Sequence, residues 1–551
     1  MARASVEAAW RAATASAALP PLPDGSAAEV TIERPANPEH GDLATNLALR
    51  LARPLRMAPA AIAAALADAI AIGPGQPIAE AVVAGPGFVN LRLTDEALEA
   101  VVETILARPA AWGRVDGPGT GRRVNVEFVS ANPTGPLTVG NARGAFVGDL
   151  LCRVLEAGGQ LVTREYYFND SGAQVQKLGA SIVAIARGRE VPEDGYHGDY
   201  VEALARELPS EVLQPAATET LDEDAAAWVA GRWASERIRA GIEASLAALG
   251  VRFDVWKTEG SLHAEGWVER AVERLRAGGH LYEADGALWF RSTTFGDDKD
   301  RVVIRANGEP TYFASDIGYV TEKLSRGFDH LIYIWGADHH GTVARVRNAA
   351  EAMGYDRAAV EVLLTGWVSF VRDGVEVSMS KRAGAFISLD ELLAEIGPDA
   401  ARWFFASRGA NVNIEFDIEL AKKQTNENPV YYVQYAHARI ASILRRAADA
   451  GMGAAPSLGG ALVGAPEAGL ARIVARFPEV VEDAAAAQET QGVTAYATEL
   501  ATAFHAFYRD AKVVDPADPA RSAARLALVD ATRITLANAL GLLGISAPDV
   551  M

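Results

Sequence analysis

Between residues 124 and 167 the period of the apolar positions changes twice. Val124, Val126 and Phe128 alternate with Asn125 and Glu127, the two-residue period of a strand. A loop carrying Pro133, Gly135 and Pro136 follows. From near Asn141 the rows Phe146, Leu150, Val154 and Val147, Leu151, Leu155 repeat at helical spacing until Gly158-Gly159. Leu161 to Tyr167 reads as a second strand and closes a βαβ unit. In such units the loop amides and the helix N-terminus face phosphates. Purely structural crossovers share the pattern, so it does not by itself define a site.

Residues 1–115 read as a small α+β unit. It has an alanine-rich first helix, strand-like Glu29–Glu33, helices over 43–53 and 58–70, and alternating Phe88–Leu93. Gly113 to Gly121 reads as a linker. After the βαβ unit, residues 191–290 are charged and helical without a repeating strand–helix pattern, as in an insertion. Strand signals return at Ala287–Arg291, Val302–Arg305 and Leu331–Gly336, and Leu363–Arg372 is another apolar stretch. Ser388-Leu-Asp-Glu391 is a capping box opening a helix. From about 417 the pattern is all helical, over 418–449, 467–487, 490–513 and 518–544, with a glycine-rich connector at 451–466.

Composition narrows the class. The 551 residues suffice for several domains, and half are hydrophobic. The net charge of −19 argues against general polyanion affinity, so any nucleic-acid contact must use local basic patches. Cys152 is the one cysteine, which excludes an intrachain disulfide and a cysteine metal cluster. No basic-then-apolar leader opens the chain, and Asp68, Asp530 and Arg533 interrupt the longest apolar stretches, so a cytoplasmic protein without a membrane span is expected.

Three polar clusters fall where an α/β sheet places ligands, beyond the carboxyl ends of strands. The first is the opening loop. The second is Trp335-Gly-Ala-Asp-His-His-Gly341, whose Asp and two His at a strand end would cost desolvation if merely structural. Zinc is disfavoured there, because adjacent histidines diverge and no third ligand has the spacing. The third is Ser378-Met-Ser-Lys-Arg-Ala-Gly384, where Lys381 and Arg382 suit phosphate charge. A further candidate, Thr311-Tyr-Phe-Ala-Ser-Asp316, fits either a cationic ligand or a helix capped by Ser315 or Asp316.

Together these segments resemble arginyl-tRNA synthetase, a class I aminoacyl-tRNA synthetase family. Val126–Leu137 (VEFVSANPTGPL) resembles the approach to the first family signature, and Arg164–Asp170 (REYYFND) the strand after it. Phe295–Val302, Thr311–Ile317 and Trp335–Gly341 are similar to segments of the second sheet half. Asn426–Arg439 (NENPVYYVQYAHAR) resembles the opening of an anticodon-binding domain, and Ala36–Asp42 (ANPEHGD) the N-terminal domain that touches tRNA. The resemblance implies an α/β, Rossmann-type parallel-sheet catalytic domain with an insertion, an N-terminal α+β domain and a C-terminal all-α bundle. The boundaries are 1–115 for the N-terminal domain, 116–190 and 291–415 for the catalytic halves, 191–290 for the insertion and 416–551 for the bundle.

The implied activity is arginine–tRNA ligation. Arginine attacks the α-phosphate of ATP, and the adenylate then passes the arginyl group to the terminal ribose of tRNA(Arg). Magnesium is expected with ATP, with no protein metal site. Carried over residue by residue, Glu127, Ser130, Asn132, Tyr312, Asp316 and His340 would bind arginine. Pro133, Thr134, Gly135, Pro136, Leu137, Val139, Gly336, Asp338, His339, Met379 and Ser380 would bind ATP. Thr138, Gly140, Asn141 and Lys381 would be catalytic. Asn37, Tyr435, Arg439 and Arg445 would contact tRNA, with Tyr431, Tyr432 and His437 as further stacking-capable side chains. Neither DNA nor a membrane is an expected partner, and the family's common state is the monomer. A chain ending near 415 would be expected to lose charging while still binding ATP.

Two departures stand out. The first signature, normally His-x-Gly-His, is Thr138-Val-Gly-Asn141. The second, normally Lys-Met-Ser-Lys, is Ser378-Met-Ser-Lys381. Thr138 and Asn141 are expected to donate neutral hydrogen bonds where imidazoles normally stand. The alternative is a non-catalytic paralogue that binds tRNA or arginine. A dinucleotide-forming adenylyltransferase is disfavoured by the helical C-terminal domain and the Tyr312/Asp316 pair.

Overall fold

The computed structural model describes residues 1–23, 28–35, 37–115, 120–170, 172–213, 223–377, 388–462 and 464–551. Its centre is a five-stranded parallel sheet built from β1 (Arg123–Glu127), β2 (Leu161–Phe168), β3 (Val255–Thr258), β4 (His330–Gly336) and β5 (Val360–Thr365), in the order β5-β4-β1-β2-β3. The strand order reverses between β1 and β4, which makes the crevice beyond their carboxyl ends the natural ligand position. β1 is covered on both faces. Val124, Val126 and Phe128 are buried, and so are the polar Asn125 and Glu127.

Helix α1 (Val139–Ala157) connects β1 to β2. It starts two residues before Asn141, because the Thr138 side chain caps it. A Cβ at Gly148 would lie 2.1 Å from the Phe128 ring, so glycine there lets the helix settle on β1. Phe146 stacks on Phe405 of helix Leu389–Ala406 at 4.2 Å, joining the sheet to the helical layer below.

The segment 191–290, expected to be a helical insertion, contains three strands. β3 joins the central sheet beside β2. Leu281–Ala284 pairs with Ala287–Phe290, which pairs in turn with Arg301–Ile304, in a separate antiparallel sheet. β3 escaped notice because Val255-Trp-Lys-Thr258 is a four-residue edge strand with no apolar alternation. The apolar stretch 363–372 likewise divides between β5 and Val368–Arg372, which belongs to another small sheet.

The C-terminal bundle comprises Pro429–Asp449, Ala465–Ala475, Phe477–Ala487, Gln491–Asp510 and Pro519–Leu542. It shares one core with the sheet, running from Val126 and Phe146 through Phe405 to Phe504 and Leu536. Helix Asp95–Ala107 joins that core through Leu98, Val102 and Ile105, although the sequence placed it with the N-terminal unit. Its buried Glu99 accepts hydrogen bonds from the amides of Gly460 and Leu462, both at 2.8 Å. This continuity speaks against the expectation that a chain ending near 415 would fold and bind ATP.

The first ninety-odd residues pack their own core around Leu47, Leu51, Ile62, Val89 and Leu91. They meet the bundle through the ion pairs Arg34–Glu479 at 2.8 Å and Asp42–Arg472 at 2.7 Å. Among the described residues, no helix is long and apolar enough to cross a membrane.

Candidate active site

The chain leaves β1 through a strained turn. Val129 and Ser130 both hold positive φ, at 66° and 42°, a region that side chains, β-branched ones above all, rarely occupy. Both residues line two adjoining cavities, of about 790 and 440 Å³, which also share Ile334, Trp335, Gly336 and His339 from the end of β4.

The larger cavity is bounded by Thr138, Gly140 and Asn141 at the start of α1, by Gly336, Asp338 and His339 after β4, and by Thr365 and Trp367 after β5. Thr138 and Asn141 form a reciprocal capping box. Thr138 donates its hydroxyl to Asn141 Oδ1 at 2.8 Å and its amide to the same oxygen at 3.3 Å, while its Oγ1 accepts from the Asn141 amide at 3.4 Å. A backbone N–H can only donate, so the facing amide atom is Oδ1 and the Asn141 Nδ2 is left as the donor. The expectation that both residues donate to a ligand is corrected here, since the Thr138 proton is committed to Asn141. A Cβ on Gly140 would meet only Thr138 Oγ1, at 3.6 Å, so packing does not demand glycine there. Its exposed backbone faces the cavity.

The other opening-loop residues nominated for ATP do not line either cavity. Pro133 is buried, Leu137 and Val139 sit in the core, and the Thr134 carbonyl accepts from Tyr200 at 3.0 Å. Gly135 lies beside the Tyr200 hydroxyl, and Pro136 is half-buried. Met379, Ser380 and Lys381 lie outside the described residues. The segment after them returns at Ser388, which pairs with Thr138 in a β-bridge, and the Leu389 amide donates to Leu137 O at 2.9 Å.

The smaller cavity gathers Glu127, Ser130, Asn132, Tyr312, Asp316 and His339, as well as Tyr167, Asn169, Glu259 and Ser315, which sequence reasoning missed. Asp316 lies on α2 (Tyr312–Ser325), capped by Thr311 rather than by Ser315 or Asp316. Burial, with Glu127 and Glu259 close by, pushes the Asp316 carboxyl up to about 7. Burial raises Glu259 as well, with Asp170 adding to it. Neither carboxylate has a lysine or arginine partner among the described residues. Glu127 is different: its oxygens receive Lys323 Nζ at 2.6 Å and the Ser130 hydroxyl at 3.0 Å. Lys323 is fully buried between the Tyr319 and Tyr333 rings, 4.3 and 4.1 Å from their centroids.

Asn132 is held by Gln174 at 2.9 Å and accepts from the Asn169 amide at 3.2 Å. Tyr312 stands at the rim, 69% exposed, so its ring is free to close over a ligand. His340 does not join the site: it is exposed at the start of the next helix and lines neither cavity. The helical periodicity after β4 turns it away from His339.

In the bundle, Tyr431 and Tyr435 stack in parallel at 6.4 Å, and Arg439 lies over Tyr508 at 4.6 Å. Tyr435 remains open to solvent, as does Asn37 in the N-terminal unit. Arg445 is tied to the Asp549 carbonyl at 3.2 Å. His437 is buried against the Pro548 carbonyl at 2.9 Å and so is unavailable for base stacking.

The chain matches three family models in succession: the arginyl tRNA synthetase N terminal domain over residues 4–93, the tRNA synthetases class I (R) catalytic domain over 114–407 and the DALR anticodon binding domain over 433–551. It is 44% identical to an arginine–tRNA ligase of Citrifermentans bemidjiense over 539 residues, 96% of each chain. It is also 44% identical to one of Bacillus licheniformis over 530 residues, 95% of this chain and 94% of the relative. The Thermus thermophilus arginyl-tRNA synthetase structure superposes with a TM-score of 0.76 at 26% identity, each chain being covered in full. On these matches the chain belongs to the arginyl-tRNA synthetase family of class I, ATP-dependent arginine–tRNA ligases.

Proposed function

We propose that the two cavities divide the substrates of arginine–tRNA ligation between them. The smaller takes arginine and the larger takes ATP. The observation that carries this division is the pair of carboxylates Asp316 and Glu259, which line the smaller cavity with no lysine or arginine partner among the described residues. A guanidinium supplies that charge and pairs with carboxylates through two parallel N–H donors. Tyr312 covers it from the rim.

Glu127 and Asn132, which line the same cavity, receive the α-ammonium and α-carboxylate. Because Lys323 neutralises Glu127, that carboxylate acts as an oriented hydrogen-bond acceptor more than as a bare charge. The arginine carboxylate then meets the α-phosphate at the residues the cavities share, where Ser130 and Gly336 leave the backbone accessible. The carboxylate oxygen bonds to the α-phosphorus, the bond to the β-phosphate breaks, and pyrophosphate leaves. In the second step the terminal ribose hydroxyl of tRNA(Arg) takes the arginyl group and AMP departs.

Catalysis here is placement and charge stabilisation. Asn141 Nδ2 supplies a neutral donor beside the phosphates, Thr138 holds it, and Lys381 supplies cationic charge. Magnesium enters with the ATP phosphates. Tyr435 and Asn37 offer exposed groups to the tRNA, with the half-buried Arg439 behind Tyr435, and the reading places a monomer in the cytoplasm. The non-catalytic paralogue has no support, since relatives 44% identical over nearly the whole chain are arginine–tRNA ligases.

Citrulline tests the division. It keeps the shape of arginine without its charge, so it should neither compete with arginine nor be activated at concentrations that saturate with arginine. Equal competition would remove the role given to Asp316 and Glu259.

A further inference from the structure

Trp367 is 68% exposed, although it sits in the two-residue link between β5 and the strand Val368–Arg372 and lines the larger cavity. Its backbone is fixed. The amide donates to Asn413 Oδ1 at 2.9 Å, and the carbonyl accepts from the Ile414 amide at 2.9 Å and from Arg143 Nη1 at 3.1 Å. Arg143 is itself buried and gives its other nitrogen to the carbonyls of Gly409, Ala410 and Val412. Among the described residues the indole pairs with no other ring and stacks under no cation. A large apolar surface left in water is unfavourable, and a loop anchored this firmly is not exposing it through disorder.

The wall of that cavity is mixed: Val129, Ile334 and Val368 give it apolar surface, Gly140 offers bare backbone, and Thr138, Asn141 and Thr365 add polar groups. An indole on a fixed backbone beside a cavity with both apolar side chains and hydrogen-bonding groups suits a flat heteroaromatic ligand.

We propose that Trp367 is a stacking residue for a purine base in the larger cavity, and that this base is the adenine of ATP. The inference rests on the ATP reading of that cavity. The terminal base of tRNA offers the same ring chemistry and is the other source the test must separate. Stacking of a base on an aromatic side chain is sensitive to truncation to alanine and tolerant of replacement by another aromatic.

The test uses the full chain with Trp367→Ala and Trp367→Phe, measuring KM for ATP, arginine and tRNA separately, with ATP affinity by calorimetry in the absence of tRNA. Trp367→Ala should raise KM and Kd for ATP by about 5- to 100-fold, leave KM for arginine within threefold, and be largely restored by Phe. A rise confined to KM for tRNA would overturn the adenine assignment in favour of the terminal base. Unchanged constants in a variant that still charges tRNA would overturn the stacking role altogether. Absence of charging by the unaltered chain would instead overturn the functional reading on which the proposal stands.

Discussion

The hydroxyl of Thr138 donates to Asn141 Oδ1 at 2.8 Å, and the two residues close a reciprocal cap on the helix that borders the larger cavity. This one contact turns two departures from the family signature into a unit. Thr138 positions, and Asn141 presents its Nδ2.

Replacing Asn141 by alanine should therefore lower kcat for aminoacylation by about 10²-fold, the usual cost of one preorganised donor, with KM for arginine little changed. Thr138→Val keeps the shape and removes the proton that orients Asn141. It should lower kcat by a smaller factor, and add little when combined with Asn141→Ala. Additive losses would show that Thr138 acts on its own account.

Asp316 makes the arginine site pH-sensitive. Its carboxyl is held up at about 7 by burial and by Glu127 and Glu259, and a guanidinium prefers the ionised form. Below about pH 7 the free site carries a proton that arginine must displace, so KM for arginine should rise as pH falls, by up to tenfold per unit from this group. The stability sign follows from the same shift. Between the ordinary carboxylate range and about 7 the folded free protein binds more protons than the unfolded chain, so this group's contribution to stability falls as pH rises through that window. Bound arginine should cancel the fall, so its thermal shift should be larger at pH 8 than at pH 6. Asp316→Asn should raise KM for arginine by about 30-fold or more, corresponding to the ~2–5 kcal/mol lost when one partner of a buried charge pair is removed.

Lys323 supports the site from beneath. It is buried against Glu127 at 2.6 Å, and Glu165 beside it receives Arg326 at 2.7 Å and the Tyr319 hydroxyl. Lys323→Met leaves Glu127 buried without its cation and should destabilise the fold by about 3–5 kcal/mol, read by denaturant unfolding. The double variant Lys323→Met/Glu127→Gln should recover part of that loss.

How much of this was legible beforehand depended on the length of the signal. The β1–α1–β2 unit was readable because it combines a long amphipathic helix with regular strands. Asp316, Glu127 and Asn132 were reachable through motif resemblance. Glu259 and Trp367 were not: each is a single residue at the end of a short or irregular element, and only the topology brings it to the cavity. β3 was missed for the same reason. The capping box is encoded locally, yet reading Thr138 and Asn141 as independent donors overlooked that spacing three apart lets them satisfy each other. The core shared by helix Asp95–Ala107 and the bundle leaves no periodic trace, because it joins segments more than 300 residues apart.

That shared core yields a prediction about truncation. A chain ending at residue 415 would expose Leu98, Val102 and Phe405, which the bundle helps to cover. It should be recovered mainly as aggregate and bind no ATP. A soluble fragment with cooperative unfolding would show that the sheet and its helices are self-sufficient.

The central claim is that a site with Thr138 and Asn141 in place of the usual imidazoles still joins arginine to tRNA. Purified full-length chain with ATP, magnesium and tRNA(Arg), supplied with each amino acid in turn and scored for acid-stable aminoacyl-tRNA, tests it directly. The account predicts charging with arginine and with no other amino acid. Arginine binding without aminoacyl-tRNA, or charging with a different amino acid, would contradict it.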